Sequence, residues 1–131
     1  MNLLLDTQAF VWWYEGNRKL GRRARIAIEA DARTVSLSAA SVWELAIKSR
    51  AGRLRTREPI HRWVPTTIAA GRFDALAIRL EHTLAVADLP DHHDDPFDRL
   101  LIVQARMENL TLVTADTVFD AYDVAVLDAR A

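Results

Sequence analysis

Four acidic residues have positions from which they could bind one metal ion: Asp6, Glu44, Asp98 and Asp116. Carboxylates at close range repel one another unless protons or cations compensate their charge. Ligands that are all oxygen select hard cations, so we expect Mg²⁺ at this site, with Mn²⁺ as a substitute. A cation held in this way can activate a water molecule for attack on a phosphorus atom. The four residues therefore predict a metal centre for phosphate chemistry.

Three of the four acids also have a simpler structural explanation. Asp6 directly follows an apolar run and could cap the next helix. Glu44 lies inside an apolar helix and could form a capping box with Ser41. Asp98 is the third residue of a helix whose N-cap is Asp95, where the helix dipole favours a carboxylate. The metal centre is therefore favoured only if the fold brings these side chains together.

Short apolar runs alternate with helical segments along the whole chain. Runs without polar alternation are typical of strands buried on both faces. The predicted strands are Asn2–Leu5, Thr34–Leu37, Asp74–Ile78, Leu110–Val113 and Val124–Leu127. The predicted helices are Gln8–Tyr14, 22–30, one capped by Ser38 or Ser41, Pro59–Ala70, Arg79–Val86, and one begun by Asp95 and Pro96.

This alternation predicts an α/β fold with a parallel sheet. Ligands of such sheets bind beyond the carboxyl ends of the strands. Asp6 and Asp116 each lie at a strand's carboxyl end, so they should meet if their strands are neighbours. Asp98 precedes its strand by a whole helix, and spacing alone does not place it at the same edge.

Several smaller features carry local expectations. Pro65 is expected to bend or divide its helix, and Gly71 to cap that helix. The four tryptophans predict a large buried area rather than a cofactor site. Adjacent histidines point in different directions and lack the helical spacing of paired ligands, so we give no weight to zinc at His92 and His93.

The composition limits the class of protein. The 131 residues fit a single domain over 1–131, and half of them are hydrophobic, which is enough for a core. There is no cysteine, which excludes disulfides and thiolate zinc sites. We expect no signal peptide and no membrane span, and hence a cytoplasmic protein without membrane contact.

Two basic clusters are candidate contacts for a polyanion. The net charge of −1 indicates no overall attraction to nucleic acid, so local patches must provide it. Arginines on an exposed helical face often contact only water, and that alternative stays open. The candidate RNA-binding residues are Arg22, Arg23, Arg25, Arg50 and Arg53.

Four segments resemble the PIN-domain ribonucleases of the VapC toxin type. They are Leu3–Thr7, Ser38–Lys48, His92–Ala105 and Leu110–Asp116, and together they span nearly the whole chain. The resemblance implies a three-layer α/β/α fold with a five-stranded parallel sheet in the order 3-2-1-4-5. It also implies Mg²⁺- or Mn²⁺-dependent cleavage of RNA phosphodiester bonds, a homodimer, and a cognate antitoxin of a type II toxin–antitoxin system.

The resemblance also implies roles for single residues. Asp6 and Asp98 match the most direct metal ligands, and Glu44 would bind the metal or orient a water molecule. Asp116 would act through water or a second metal. Thr114 would support these acids by a hydrogen bond without touching the metal.

Two other functions remain open from the sequence. A haloacid-dehalogenase-like phosphatase also begins with a strand followed by an aspartate, but it needs a second aspartate two positions later, where this chain has Gln8. In a non-catalytic antitoxin-binding module, the acids would only cap helices and no metal would bind.

Overall fold

A computed structural model describes all residues from 1 to 131, and a five-stranded parallel sheet lies at its centre. The strand order is β3-β2-β1-β4-β5, as predicted. The strands are β1 (Asn2–Leu5), β2 (Thr34–Ser38), β3 (Asp74–Leu76), β4 (Thr111–Thr114) and β5 (Val126–Asp128). Because the order reverses on either side of β1, the carboxyl ends of β1 and β4 meet at the switch point, where α/β proteins bind ligands.

Six α-helices connect the strands. They are α1 (Thr7–Glu15), α2 (Arg22–Ile26), α3 (Ala39–Arg50), α4 (Ile60–Gly71), α5 (Leu80–Val86) and α6 (Pro96–Met107). A π-helical turn over Ala27–Asp31 extends α2, and a 3₁₀ turn over Thr117–Ala121 follows β4. The expected α/β architecture is therefore confirmed. None of the helices combines the length and the apolar composition that a membrane crossing requires.

Two hydrophobic clusters cover the two faces of the sheet. Leu3 and Leu5 of β1 belong to the cluster that includes α1 and α2, whereas Leu4 belongs to the cluster built around α6. Successive side chains of a strand point to opposite faces. All three leucines are fully buried for that reason, which explains why β1 is an unbroken apolar run.

The two edge strands of the sheet, β3 and β5, are shorter than the sequence predicts. β3 ends at Leu76 rather than Ile78, and β5 covers Val126–Asp128 rather than starting at Val124. The backbone N–H of Val124 donates to the carbonyl of Tyr122, 3.0 Å away. This tight turn delays the approach of the chain to the sheet until after Val124.

The expectations that Pro65 divides α4 and that Gly71 caps it were wrong. Pro65 lies inside one continuous helix. The carbonyl of His61 loses its helical partner there, but both residues are exposed, so water can replace the bond. The C-cap is Arg72, with φ 55°, rather than Gly71. A Cβ at Gly71 would collide with the ring of Phe73, which gives the glycine a packing reason instead.

The prediction of large buried tryptophan area was wrong for one residue of the four. Trp12 and Trp63 are buried and Trp13 is partly buried, but Trp43 is 57% exposed on α3. Its ring contacts the edge of Phe97, with ring centroids 5.0 Å apart. Large exposed aromatic side chains are typical of interaction surfaces.

Candidate active site

Asp6 and Asp116 lie at the carboxyl edge of the sheet because β1 and β4 are neighbours. Leu5 is in register with Val113, so the residues after the two strands stand side by side. The hydroxyl of Thr114 donates to the Asp6 carboxylate and accepts the N–H of Asp116, at 3.0 Å from nitrogen to oxygen. Thr114 therefore connects the two acids, which is the contact expected of a residue that supports them.

Asp6 has both of the roles that the sequence left open. Its Oδ1 accepts the backbone N–H of Ala9 at 2.7 Å, so it caps α1. Its carboxylate is nevertheless buried and lines the cleft beyond the sheet edge. The helix cap thus holds Asp6 in a fixed orientation toward that cleft.

Glu44 points from α3 into the same cleft. Ser38 is the N-cap of α3, so Ser41 lies within the helix and no capping box holds Glu44. Both carboxylate oxygens are bonded instead. The hydroxyl of Thr7 donates to Oε1 at 2.6 Å, and Lys48 Nζ lies 2.7 Å from Oε2. Because both oxygens already have partners, Glu44 is suited to accept a hydrogen bond from a water molecule more than to bind a metal directly.

Asp98 reaches the sheet edge from the first turn of α6. Asp95 caps this helix by accepting the N–H groups of Phe97 and Asp98, so its own carboxylate is used for the helix start. Pro96 is the first helical residue, as predicted. The side chain of Asp98 is left to turn toward the cleft, where it approaches Asp116 through a histidine.

That histidine is His93, which the sequence interpretation set aside. Its Nε2 lies 3.0 Å from Asp98 Oδ2 and 3.1 Å from Asp116 Oδ2. The rings of the adjacent His92 and His93 do point apart, as expected, because the ring of His92 contacts Tyr122. A signal was present nonetheless, because His93 belongs to the loop that leads directly into Asp98. We call Asp6, Glu44, His93, Asp98 and Asp116 the acid centre.

The carboxylates of the acid centre lack enough positive charge around them. Burial is the main cause that raises the pKa of Asp98 to about 8, and the neighbouring carboxylates of Asp95, Asp6, Glu44 and Asp116 add to it. Burial also raises the pKa of Asp6 to about 6, although hydrogen bonds from Thr114 and the Ala9 amide act in the opposite direction.

This charge deficit fits a divalent cation. Ligand atoms of His93, Asp98 and Asp116 lie within 4.8 Å of one another, and Asp6 adds a further buried carboxylate to the same cleft. Apart from the histidine, the donors are carboxylate oxygens, which favour Mg²⁺ or Mn²⁺.

Basic side chains share the cleft with these acids. The cleft has a volume of about 770 Å³. The carboxylates can bind a metal ion, and the basic side chains can bind a phosphate group. A cleft that has both is suited to a phosphodiester together with its metal ion. The charged lining residues are Asp6, Glu15, Lys19, Glu44, Lys48, Arg53, Asp95, Asp98, Asp116 and Arg130.

The predicted arginines separate into two groups. Arg53 lines the cleft, and Arg50 is exposed at the last residue of α3. Arg22 and Arg23 line a different depression beside Asp31, outside the cleft. Arg25 is bound by Glu29 at 3.6 Å.

Three basic residues of the cleft were not predicted as site residues. Lys48 could have been found, because it lies one helical turn after Glu44. Lys19 and Arg130 carry no such signal. Arg130 reaches the cleft by lying over the ring of Trp12, with 5.8 Å from its guanidinium carbon to the ring centroid.

Arg99 has a structural role in the same region. Its guanidinium donates to the carbonyls of Val86, Leu89, Pro90 and His93, at 2.9 to 3.3 Å. These four bonds hold the loop that carries His93 against the start of α6. The N–H groups of Arg99 are therefore used to anchor this loop.

Comparisons with known proteins agree with this geometry. The family model described as PIN domain matches residues 3–125. No curated protein matches the chain. Among solved structures, VapBC2 from Rickettsia felis bound to a promoter DNA fragment matches with a TM-score of 0.73 and 17% identity, covering 97% of this chain and 98% of that one.

Two further solved structures share the fold. A toxin–antitoxin complex from Klebsiella pneumoniae matches with a TM-score of 0.65 and 20% identity, covering 97% of each chain. FitAcB from Neisseria gonorrhoeae matches with a TM-score of 0.69 and 23% identity, covering 98% of each chain. At these identities the likeness concerns the fold.

Proposed function

Because the chain belongs to the PIN-domain family, we propose that it is a single-domain, metal-dependent endoribonuclease that acts as the toxin of a type II toxin–antitoxin pair. The observation that carries the proposal is the convergence of four carboxylates beside basic side chains in one cleft. The family match also favours this reaction over a phosphatase, which would form an aspartyl phosphate. PIN-domain nucleases are generally hydrolytic. We propose in addition that the substrate is RNA and that the cation is Mg²⁺ or Mn²⁺.

Asp6 and Asp98 are the residues we assign to the metal, with Asp116 beside them. A divalent cation supplies two effects when bound: it makes water more acidic and it neutralises charge on phosphate oxygens. Asp6 is fixed by its helix cap and Thr114, and Asp98 by the first turn of α6.

The remaining residues position the phosphodiester and the attacking water. Lys48 and Arg53 bind a phosphate oxygen of the RNA backbone. Glu44, held by Thr7 and Lys48, accepts a hydrogen bond from the water and orients it. The oxygen of water then bonds to phosphorus as the bond to the 3′ oxygen breaks. The water gives up a proton as its oxygen bonds to phosphorus, and the 3′ oxygen takes up a proton, which leaves a 3′-hydroxyl and a 5′-phosphate.

We also propose that the toxin binds a cognate antitoxin and forms a homodimer. One of the structures with this fold is described as a toxin–antitoxin complex. The chain has an apolar groove of about 560 Å³ lined entirely by hydrophobic residues of β2, α3, α4 and the β3 region. Trp43, 57% exposed, lies in it. If the groove is the dimer interface, Trp43→Glu gives a monomer in light scattering after size-exclusion chromatography, while the unchanged protein is a dimer.

Cleavage of total cellular RNA tests the nuclease function. The purified protein, freed of antitoxin, is incubated with Mn²⁺ or with EDTA, and the cut ends are mapped. Discrete cuts that need the metal are expected, with at least about a hundredfold loss in Asp98→Asn, since loss of a ligand exceeds loss of a supporting contact. Asp94→Asn is the matched control, because Asp94 is exposed in the same loop.

Two results would contradict the proposal. Cleavage at full rate by Asp98→Asn would show that the activity belongs to a contaminant or to another site. Failure of the unchanged protein to bind Mn²⁺ in calorimetry would remove the metal on which the reaction depends.

A further inference from the structure

His93 is held from several directions in the loop before α6. Its backbone N–H donates to the Tyr122 hydroxyl at 2.8 Å, and its carbonyl accepts from Arg99 at 3.3 Å. The ring packs edge-on against Phe119, with centroids 5.6 Å apart. With backbone and ring both fixed, the two ring nitrogens have defined partners, and those partners decide what the ring can do.

The partner of Nδ1 determines where the ring proton lies. The backbone N–H of Asp95 points at Nδ1, with 3.2 Å between the nitrogens. A backbone N–H is always a donor, so Nδ1 must be the acceptor. In a neutral imidazole the proton is then on Nε2.

The partners of Nε2 agree with this tautomer. Nε2 lies 3.0 Å from Asp98 Oδ2 and 3.1 Å from Asp116 Oδ2, and an ionised carboxylate is an acceptor only. The single N–H is therefore shared between two carboxylates that otherwise repel each other. One comes from a helix start and the other follows a strand, so the imidazole joins two elements of the fold.

Direct metal binding by His93 conflicts with these contacts. Nε2 could bind a metal only after its proton moved to Nδ1, which would then face the Asp95 N–H as donor against donor. The loss of that hydrogen bond would leave a polar group unsatisfied. Rotation of the ring is opposed by Phe119, and movement of the loop by Tyr122 and Arg99.

We propose that His93 is a positioning residue of the metal site: its Nε2–H fixes Asp98 and Asp116 at the separation that a divalent cation needs, without binding the cation. The inference rests on the proposed function, since it concerns the same acidic site. Residues that hold metal ligands from outside typically change metal affinity about 10- to 100-fold when they are replaced.

Two substitutions separate the two nitrogens of the ring. In His93→Asn the side-chain oxygen can still accept the Asp95 N–H, but no donor reaches the two carboxylates. In His93→Gln the longer side chain brings an N–H₂ group to the position of Nε2. His92→Asn, in the neighbouring residue whose ring contacts Tyr122, is the matched control.

The primary measurement is the affinity for Mg²⁺ and for Mn²⁺ by calorimetry, without RNA. We expect His93→Asn to weaken both affinities by a similar factor of about 10 to 100, and His93→Gln to recover part of the loss. A metal-binding imidazole would instead make the loss selective for Mn²⁺, because nitrogen ligands favour Mn²⁺ over Mg²⁺. Unchanged affinity in His93→Asn would also overturn the proposal.

Two spectra of the unchanged protein add independent tests. With ¹⁵N-labelled histidine, NMR of the metal-free protein should show His93 protonated on Nε2 and bare on Nδ1, and the opposite pattern would overturn the proposal. Pulsed electron paramagnetic resonance of the Mn²⁺ complex should show no coupling to His93 nitrogen, whereas a coupling that disappears in His93→Asn would make it a ligand.

These measurements distinguish failure of the inference from failure of the proposed function. A protein that binds Mn²⁺ and shows the expected His93 spectra but cuts no RNA would refute the nuclease and leave the role of His93 intact. RNA cleavage together with a His93–Mn²⁺ coupling would do the reverse. Absence of metal binding in the unchanged protein would refute both.

Discussion

A histidine lies beside acidic side chains in two places in this molecule. The two places differ in how far positive side chains compensate the carboxylates. In the acid centre, one imidazole N–H is shared by two carboxylates, and burial raises the pKa of Asp98 to about 8. In the second place, His82 is fully buried between α5 and α6 and lies 3.1 Å from Glu108. There the hydrogen bond from His82 is the main cause that lowers the pKa of Glu108.

Around His82, the polar side chains bond to one another and need no ligand. Arg79 lies 2.7 Å from Glu108, and its backbone N–H donates to His82 Nδ1. The amide of Gln104 also approaches Nδ1, and its oxygen accepts the hydroxyl of Ser38 at 2.5 Å. We call these side chains the His82 network. Arg79 compensates the charge of Glu108, whereas the acid centre has four carboxylates with only Lys48 paired to one of them. This difference distinguishes an acidic cluster that could bind a metal from a structural cluster.

The largest expected effect on stability lies in the His82 network. His82→Ala should lower the free energy of unfolding by about 3 kcal/mol, because it leaves a cavity and removes one partner of Glu108 and the acceptor of the Arg79 N–H. Urea unfolding measures this change. The Mn²⁺ affinity should stay within about twofold of the unchanged protein. His61→Ala, at an exposed histidine, is the control. A large loss of metal affinity would show that the two places are coupled.

Metal binding should stabilise the protein only through the acid centre. At an Mn²⁺ concentration of about 100 times the dissociation constant, the free energy of unfolding should rise by about 2.7 kcal/mol. Thermal unfolding with and without Mn²⁺ measures it. Glu108→Gln should show the full increase from a lower starting stability, and Asp98→Asn should show almost none. An equal increase in all three proteins would place the metal elsewhere.

The acid centre could be predicted from the sequence where the fold rule is simple. Carboxyl ends of parallel strands share an edge, so Asp6 and Asp116 followed from two short apolar runs. The position of Asp98 depends on the path of the loop before α6, which Arg99 and Tyr122 hold through hydrogen bonds to backbone carbonyls and N–H groups. Such long-range contacts leave no periodic pattern in the sequence.

The histidines were harder to interpret for a related reason. A buried histidine in a structural network and a histidine beside candidate metal ligands are the same letter in the sequence. Their partners come from distant segments: His93 contacts an acid 23 residues later, and His82 an acid 26 residues later. Only the three-dimensional arrangement shows that the first is surrounded by excess negative charge and the second is not.

The two places should respond to pH in opposite directions in the metal-free protein. A carboxylate whose pKa is raised in the folded state binds more protons folded than unfolded, so stability falls as pH rises. Asp6 and Asp98 should make stability fall from about pH 4, the usual pKa of an aspartate, up to their folded-state pKa values of about 6 and 8. The pKa of Glu108 is lowered, so its contribution is lost only as pH falls below its usual range.

Asp98→Asn isolates this effect. It should remove the fall in stability above pH 6 and make the metal-free protein more stable at pH 8, by an amount on the order of 2 kcal/mol once partial exposure is allowed for. Urea unfolding at several pH values, with EDTA present, measures the slope. A slope that persists unchanged in Asp98→Asn would mean that the carboxylate is ionised at no cost.

The smallest expected effect separates the basic residues of the two places. Lys48 and Arg79 both pair with a glutamate, but Lys48 lines the cleft and its side chain is 40% exposed. In an Asp98→Asn background that does not cut, Lys48→Gln should weaken binding of a single-stranded RNA about fivefold. It should also reduce the slope of log affinity against log salt by about 0.7, because one phosphate contact is lost.

Arg79→Gln is the control for this comparison. Both substitutions remove one positive charge, so a change caused by net charge alone would appear equally in fluorescence anisotropy of the two proteins. If only Lys48→Gln changes the salt slope, the contact is local to the cleft. Equal changes would show that the cleft does not direct the RNA. Because Arg79 is fully engaged with Glu81 and Glu108, its charge is already compensated inside the His82 network, and RNA affinity should not register its loss.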